Sequence, residues 1–105
     1  LKKIGKGNRL FMSFIVSEKA IHSFKNDWDL EEGQYIRIYA KYAGGGSEAF
    51  SIGINSSAIP IDPALVKSIG GFYFFIEKTD SWILKDEFLK IDSNEEGIFL
   101  NKISC

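Results

Sequence analysis

Gln34 to Asn55, QYIRIYAKYAGGGSEAFSIGIN, is the stretch that most restricts the fold. Ile36, Ile38, Ala40 and Tyr42 recur at every second position, with Tyr35, Arg37, Tyr39 and Lys41 between them. Phe50, Ile52 and Ile54 alternate in the same way with Ser51, Gly53 and Asn55. Successive side chains of a strand leave on opposite sides, so each run offers one apolar face to a core. Ala43-Gly44-Gly45-Gly46-Ser47 lies between the runs and is expected to turn the chain. Two such strands need further strands or a helix to cover that apolar face.

The remaining chain supplies them. Phe14-Ile15-Val16 reads as a short strand. Ser17 then stands as a helix N-cap, and Val16 and Ile21 stand at staple positions around it. From Glu18 to about Trp28, the residues Ala20, Ile21, Phe24 and Trp28 make one helical stripe, while Lys19, Ser23, Asn26 and Asp27 fall elsewhere. Gly33 frees the chain for the turn into the hairpin.

Both prolines lie between Ser56 and Pro63, which is expected to be a loop or irregular edge. Leu65–Ile69, Gly70-Gly71 and Phe72–Ile76 carry a hairpin signature. Phe72, Phe74 and Ile76 share a face, and Tyr73 and Phe75 make the reverse face aromatic, the mark of a central strand covered twice. Glu77–Leu84 is ambiguous, with Thr79 or Asp80 placed to cap one or two helical turns that carry Trp82 and Ile83. Leu89 and Ile91 alternate with Phe88 and Lys90. Ser93–Gly97 is a turn and Ile98–Leu100 a last strand. The fold class expected is mostly β, with one amphipathic helix and one short helix.

Charge narrows the function. Lys2, Lys3, Lys6 and Arg9 crowd the first eleven residues, and from Met12 onward there are nine bases against 14 acids. An acidic body argues against a binder of phosphate backbones. Met12 is expected to be the biological start, with residues 1–11 a leader or expression remnant and residues 12–105 one domain. No run reaches the roughly 18 apolar residues of a membrane span. The one cysteine, Cys105, forms no internal disulfide, and the expected location is the cytoplasm.

In order along the chain, several segments resemble the HesB-like, A-type (IscA-like) iron–sulfur carrier family. Ile15-Val16-Ser17-Glu18-Lys19-Ala20 resembles its opening strand and helix start. Arg37 to Ile54 resembles its central hairpin, in which a Gly-rich turn precedes a small-then-aromatic pair, here Ala49-Phe50. Gly71–Ile76 with Ser81-Trp82 resembles a later strand and helix. Leu89–Asp92 and Asn94–Phe99 resemble the closing strands. The resemblance spans about Phe14 to Asn101 and implies a compact HesB-like β sandwich or barrel, usually assembled as dimers or tetramers. The family holds iron or a cluster with three cysteine thiolates, one in the Gly-rich turn and two in a C-terminal Cys-x-Cys. Gly45 stands where the first would be, and Cys105 matches neither position. A thiolate-held cluster needs several converging soft donors. The chain therefore looks like the cysteine-poor branch, with no metal ligand set and no cofactor implied, and Cys105 the one candidate thiolate.

Single residues are weighed in the same way. Gly44-Gly45-Gly46 is expected to be a hairpin turn; its alternative is an anion nest of converging N–H groups, though no helix follows as in a P-loop. Tyr35, Arg37, Tyr39 and Lys41 have the composition of a base-stacking platform and equally that of a subunit interface or a face covered by the helix. His22, the only histidine, has no ligand partner at metal spacing and reads as an edge residue. Asp62, Asp80, Asp86, Glu87, Asp92, Glu95 and Glu96 read as solvated or capping turn carboxylates. No acid–base pair or nucleophilic triad emerges, so no catalytic residue is assigned. The expectation is a non-enzymatic HesB-like domain that works through protein contacts as a homo-oligomer, a dimer foremost. The alternatives are a carrier whose Cys105 thiolates meet across an oligomer, and a small-ligand or nucleic-acid binder using Tyr35, Arg37, Tyr39 and Lys41.

Overall fold

A computed structural model describes residues 13–42, 50–84 and 87–104. Strand β1 (Ser13–Val16) leads into helix α1 (Glu18–Asn26), followed by β2 (Tyr35–Tyr42), β3 (Phe50–Asn55), β4 (Pro63–Ile69) and β5 (Phe72–Glu77). A 3-10 helix (Lys78–Leu84) then precedes β6 (Glu87–Asn94) and β7 (Gly97–Ser104). Two sheets form, one in the order β3-β2-β5-β4 and one in the order β1-β6-β7. The mostly β class with two small helices is as the sequence implied.

In the larger sheet β2 runs antiparallel to β3 and parallel to β5, which pairs antiparallel with β4. Gly70 (φ 61°) and Gly71 (φ 93°) supply the two positive φ values of the β4–β5 turn, a twist that matches the flanking strands. An added Cβ at Gly70 would stand 2.6 Å from the Ile21 side chain, so the turn also packs against α1. Strand β4 opens at Pro63, earlier than the sequence suggested. It is an edge strand, where a missing N–H breaks no ladder bond, and the register shifts between Pro63 and Leu65.

One core joins both sheets. Ile36, Ile38, Phe72, Phe74 and Ile76 enter it from the larger sheet, Phe14, Leu89 and Ile91 from the smaller. Ala20 and Phe24 enter from α1, and Ile83 and Leu84 from the 3-10 helix. Phe24 meets Phe72 and Phe74 at ring separations of 6.1 and 5.7 Å, so α1 lies on the Phe72–Phe74 face of the sheet. Each such buried aromatic or aliphatic side chain contributes about 1.5–3 kcal/mol.

Helix α1 is shorter than its stripe. Asp27 caps it, and Asp29 turns left-handed (φ 59°), a conformation that Asp tolerates better than most residues. Trp28 therefore lies beyond the helix. Its ring meets Phe24 edge-on at 5.0 Å and is 37% exposed, instead of continuing the buried stripe. Ser23, expected off the stripe, is buried because it faces β6: its hydroxyl donates to Asp27 Oδ2 (3.1 Å) and accepts from Ser93 Oγ (2.9 Å).

The N-terminus of α1 is tied to β6 through the cap. Ser17 Oγ accepts from the Ala20 N–H (3.0 Å) and donates to Asp92 Oδ1 (2.7 Å), while Ser17 N–H donates to the Ile91 carbonyl (3.0 Å). The Ser17 hydroxyl, then the Ser93 amide, outweigh partial burial and hold the Asp92 carboxyl below its ordinary 3.8; Lys90 and Lys19 add to the effect. A carboxyl depressed in the folded state stabilises fully above its unfolded pKa and loses that contribution as pH falls through the folded value. Asp92→Asn removes the charge and keeps an acceptor. Urea unfolding from about pH 6 to about pH 2 should show the variant less stable than the parent near neutrality, with the two converging on acidification.

Candidate functional site

The reverse face of the larger sheet carries the polar and aromatic residues singled out in the sequence. Tyr35 and Tyr73 are paired across the parallel strands and stack at 5.0 Å. Phe75, pointing the same way, meets Tyr35 edge-on at 6.0 Å and is fully buried although it lies outside the main core. Tyr39 pairs with Gly53 on β3, and its ring lies over the glycine so closely that an added Cβ would come within 2.6 Å of it. The Arg37 guanidinium sits 5.5 Å from the Tyr39 ring centroid, a cation–π arrangement. Strand pairing thus brings Tyr35, Arg37 and Tyr39 into one layer, with Lys41 exposed at its end. This layer faces away from α1, so the helix does not cover it.

The 3-10 helix reaches this layer with an acid. Arg37 Nη2 and Asp80 Oδ2 are 2.8 Å apart, and their side chains are 31% and 13% exposed. The buried Arg37 Nε finds no acceptor among the described residues. Asp80, expected as a solvated or capping carboxylate, is thus a buried partner for a strand arginine, because the helix turns its acidic first turn toward β2. A base-stacking platform needs open rings and free cations. Here Phe75 is closed over and the guanidinium is engaged, which leaves Tyr35 and Tyr39 partly open and Lys41 exposed.

One residue that the sequence did not single out organises the same end of the sheet. Glu77 closes β5 and is only 6% exposed. Its two carboxylate oxygens accept from the backbone N–H groups of Ile61 (2.8 Å) and Asp62 (2.7 Å). A glutamate ending the apolar run Phe72–Ile76 was the available signal. Asp62 itself is exposed and 3.6 Å from Lys78 Nζ, a surface pair of small energetic weight.

His22 is exposed on α1, beside a cleft of about 860 Å³ between Lys19, His22 and Ser23 on one wall and Ser93 to Glu96 on the other. Bases on the helix wall face Glu95 and Glu96 on the turn, and no large apolar side chain lines it. Asp92 works as the cap partner already described. Glu87 is 3.4 Å from Lys102 Nζ. Gly44, Gly45, Gly46, Asp86, Cys105 and residues 1–11 lie outside the described residues. Among the described residues no three His, Cys, Asp or Glu side chains are grouped to hold a metal ion, and no helix is long and apolar enough to cross a membrane.

Removing Asp80 would leave the partly buried Arg37 guanidinium without its carboxylate, beside an Nε that already has no acceptor among the described residues. Asp80→Ala should cost about 1–3 kcal/mol in urea unfolding, and Arg37→Met in the Asp80→Ala background should recover part of that loss.

No family model matches the chain. A curated protein of Bacillus subtilis (strain 168) named pyruvate dehydrogenase inhibitor is 29% identical over 88 residues, which cover 82% of this chain and 92% of that protein. Two solved structures share the architecture. IscA with its [2Fe-2S] cluster has a TM-score of 0.57 at 13% identity, over 87% of this chain and 81% of that one. Escherichia coli SufA, described as involved in biosynthesis of iron–sulfur clusters, has a TM-score of 0.61 at 17% identity, over 86% and 78%. The two-sheet arrangement built on β2 and β5 is therefore the fold that IscA and SufA share.

Proposed function

We propose that this chain is a non-enzymatic HesB-like protein that acts by binding another protein, as a dimer, with a pyruvate dehydrogenase component as the partner to test first. The observation that carries this reading is the near full-length likeness to a small protein named for inhibiting that enzyme. The chemistry of the described surface is compatible with it. On the sheet face Arg37 and Asp80 engage each other and Glu77 engages backbone, as structural groups do, and exposed apolar side chains remain for contact. Purified chain titrated into purified Bacillus subtilis pyruvate dehydrogenase complex should lower NADH production saturably, and heat-unfolded chain should not. Full activity at tenfold excess of chain over binding sites would overturn this choice of partner.

The likeness to IscA supports a second reading, a carrier that holds an iron–sulfur cluster as cargo. Such cargo needs several thiolates, and these 105 residues contain one cysteine. Anaerobic reconstitution with iron and sulfide should leave the protein colourless. A stoichiometric cluster spectrum would favour the carrier, and its loss in Cys105→Ser would place the ligand at thiols shared between subunits.

A further inference from the structure

We infer that the loop Ile59-Pro60-Ile61-Asp62 is a preorganised apolar prong that enters a pocket on a folded protein partner with a basic surface around the pocket. The inference rests on the protein-contact reading above and names the surface that serves it.

Ile61 is 90% exposed and Ile59 is 72% exposed, the two most open large apolar side chains among the described residues. A scattered exposed isoleucine needs no explanation. Here the backbone beneath is fixed at both ends. Gln34 Nε2 donates to the Ser56 carbonyl (2.9 Å), and Ser57 N–H donates to Asn55 Oδ1 (2.8 Å). At the far end the buried Glu77 carboxylate accepts from the amides of Ile61 and Asp62, and Lys78 N–H donates to the Asp62 carbonyl (3.0 Å). Pro60 and Pro63 reduce the remaining backbone freedom. A carboxylate drawn into the protein to hold two loop amides is a costly device for a segment whose isoleucines stand open to solvent.

Such a loop suits binding. Its ordering entropy is already spent in the free protein, so apolar contact converts more fully into affinity. The sheet face that Glu77 belongs to carries further open apolar groups. Glu77 points to the same sheet face as Phe75 and Tyr73, and on β4, the strand that follows the loop, Val66 pairs with Phe75. Val66 is 43% and Tyr73 37% exposed. Large apolar side chains left open to a partner are the composition of an interface centre. Charge selects the partner class. Acids outnumber bases 14 to nine over residues 12–105, which carry the prong, and this favours a basic rim on the partner; the four bases of residues 1–11 bring the whole chain to −1.

The test uses the full chain with Ile59→Ser plus Ile61→Ser, and Asn101→Ser on exposed β7 as control. Both variants should keep the parent's melting temperature, because the altered side chains are exposed. Titrated against purified pyruvate dehydrogenase complex, the double variant should bind at least about tenfold more weakly and the control unchanged. Equal binding by the double variant overturns the prong and leaves the protein-contact reading standing. No binding by the parent chain overturns pyruvate dehydrogenase as the partner, and the prong's docking on it. Two further results overturn the prong alone: parent-chain binding to anionic lipid vesicles that the double variant loses, or a parent dimer that the double variant converts to monomer in sedimentation.

Discussion

Everything in this molecule leans on β5 being buried on both faces. Phe72, Phe74 and Ile76 close the core between the two sheets, while Phe75 and Glu77 are buried on the reverse face. A strand so placed must be interior, and its backbone is satisfied by β2 on one side and β4 on the other. The parallel pairing with β2 follows, and it puts Tyr35 beside Tyr73 and Arg37 beside Phe75. The features of the candidate surface are consequences of that register.

The reverse face therefore behaves as a second, smaller packed layer. Phe75 fills it, the stacked tyrosines rim it, and the Arg37–Asp80 pair closes one end. Glu77 is the link from packing to surface. Its backbone belongs to the central strand, and its carboxylate fixes a loop whose isoleucines face water. Rigidity generated in the core is passed to an exposed apolar segment through two hydrogen bonds.

Much of the fold was legible in the residues. Period-two alternation marked β2 and β3, Gly70-Gly71 marked the second hairpin, and Ser17 marked the start of α1. Trp28 misled, since a stripe gives spacing and not the point where Asp29 breaks the helix. The candidate site was legible only by composition. Tyr35, Arg37, Tyr39 and Lys41 could be placed on one face, but the partner of Arg37 comes from 43 residues away. Glu77 and Ile61 are likewise joined across 16 residues by an unpatterned loop.

By itself the sequence determined which residues face a core, where the Gly70-Gly71 hairpin turns, and that the soft donors of a cluster carrier are scarce within these 105 residues. Those are local matters, set by alternation, by positive φ at glycine and by donor chemistry. Only the tertiary structure decided that Asp80 neutralises Arg37, that α1 leaves the tyrosine face open, and that a glutamate steadies Ile61 in solvent. Contacts between distant segments depend on register and on the path of irregular backbone, and neither leaves a periodic trace in the chain.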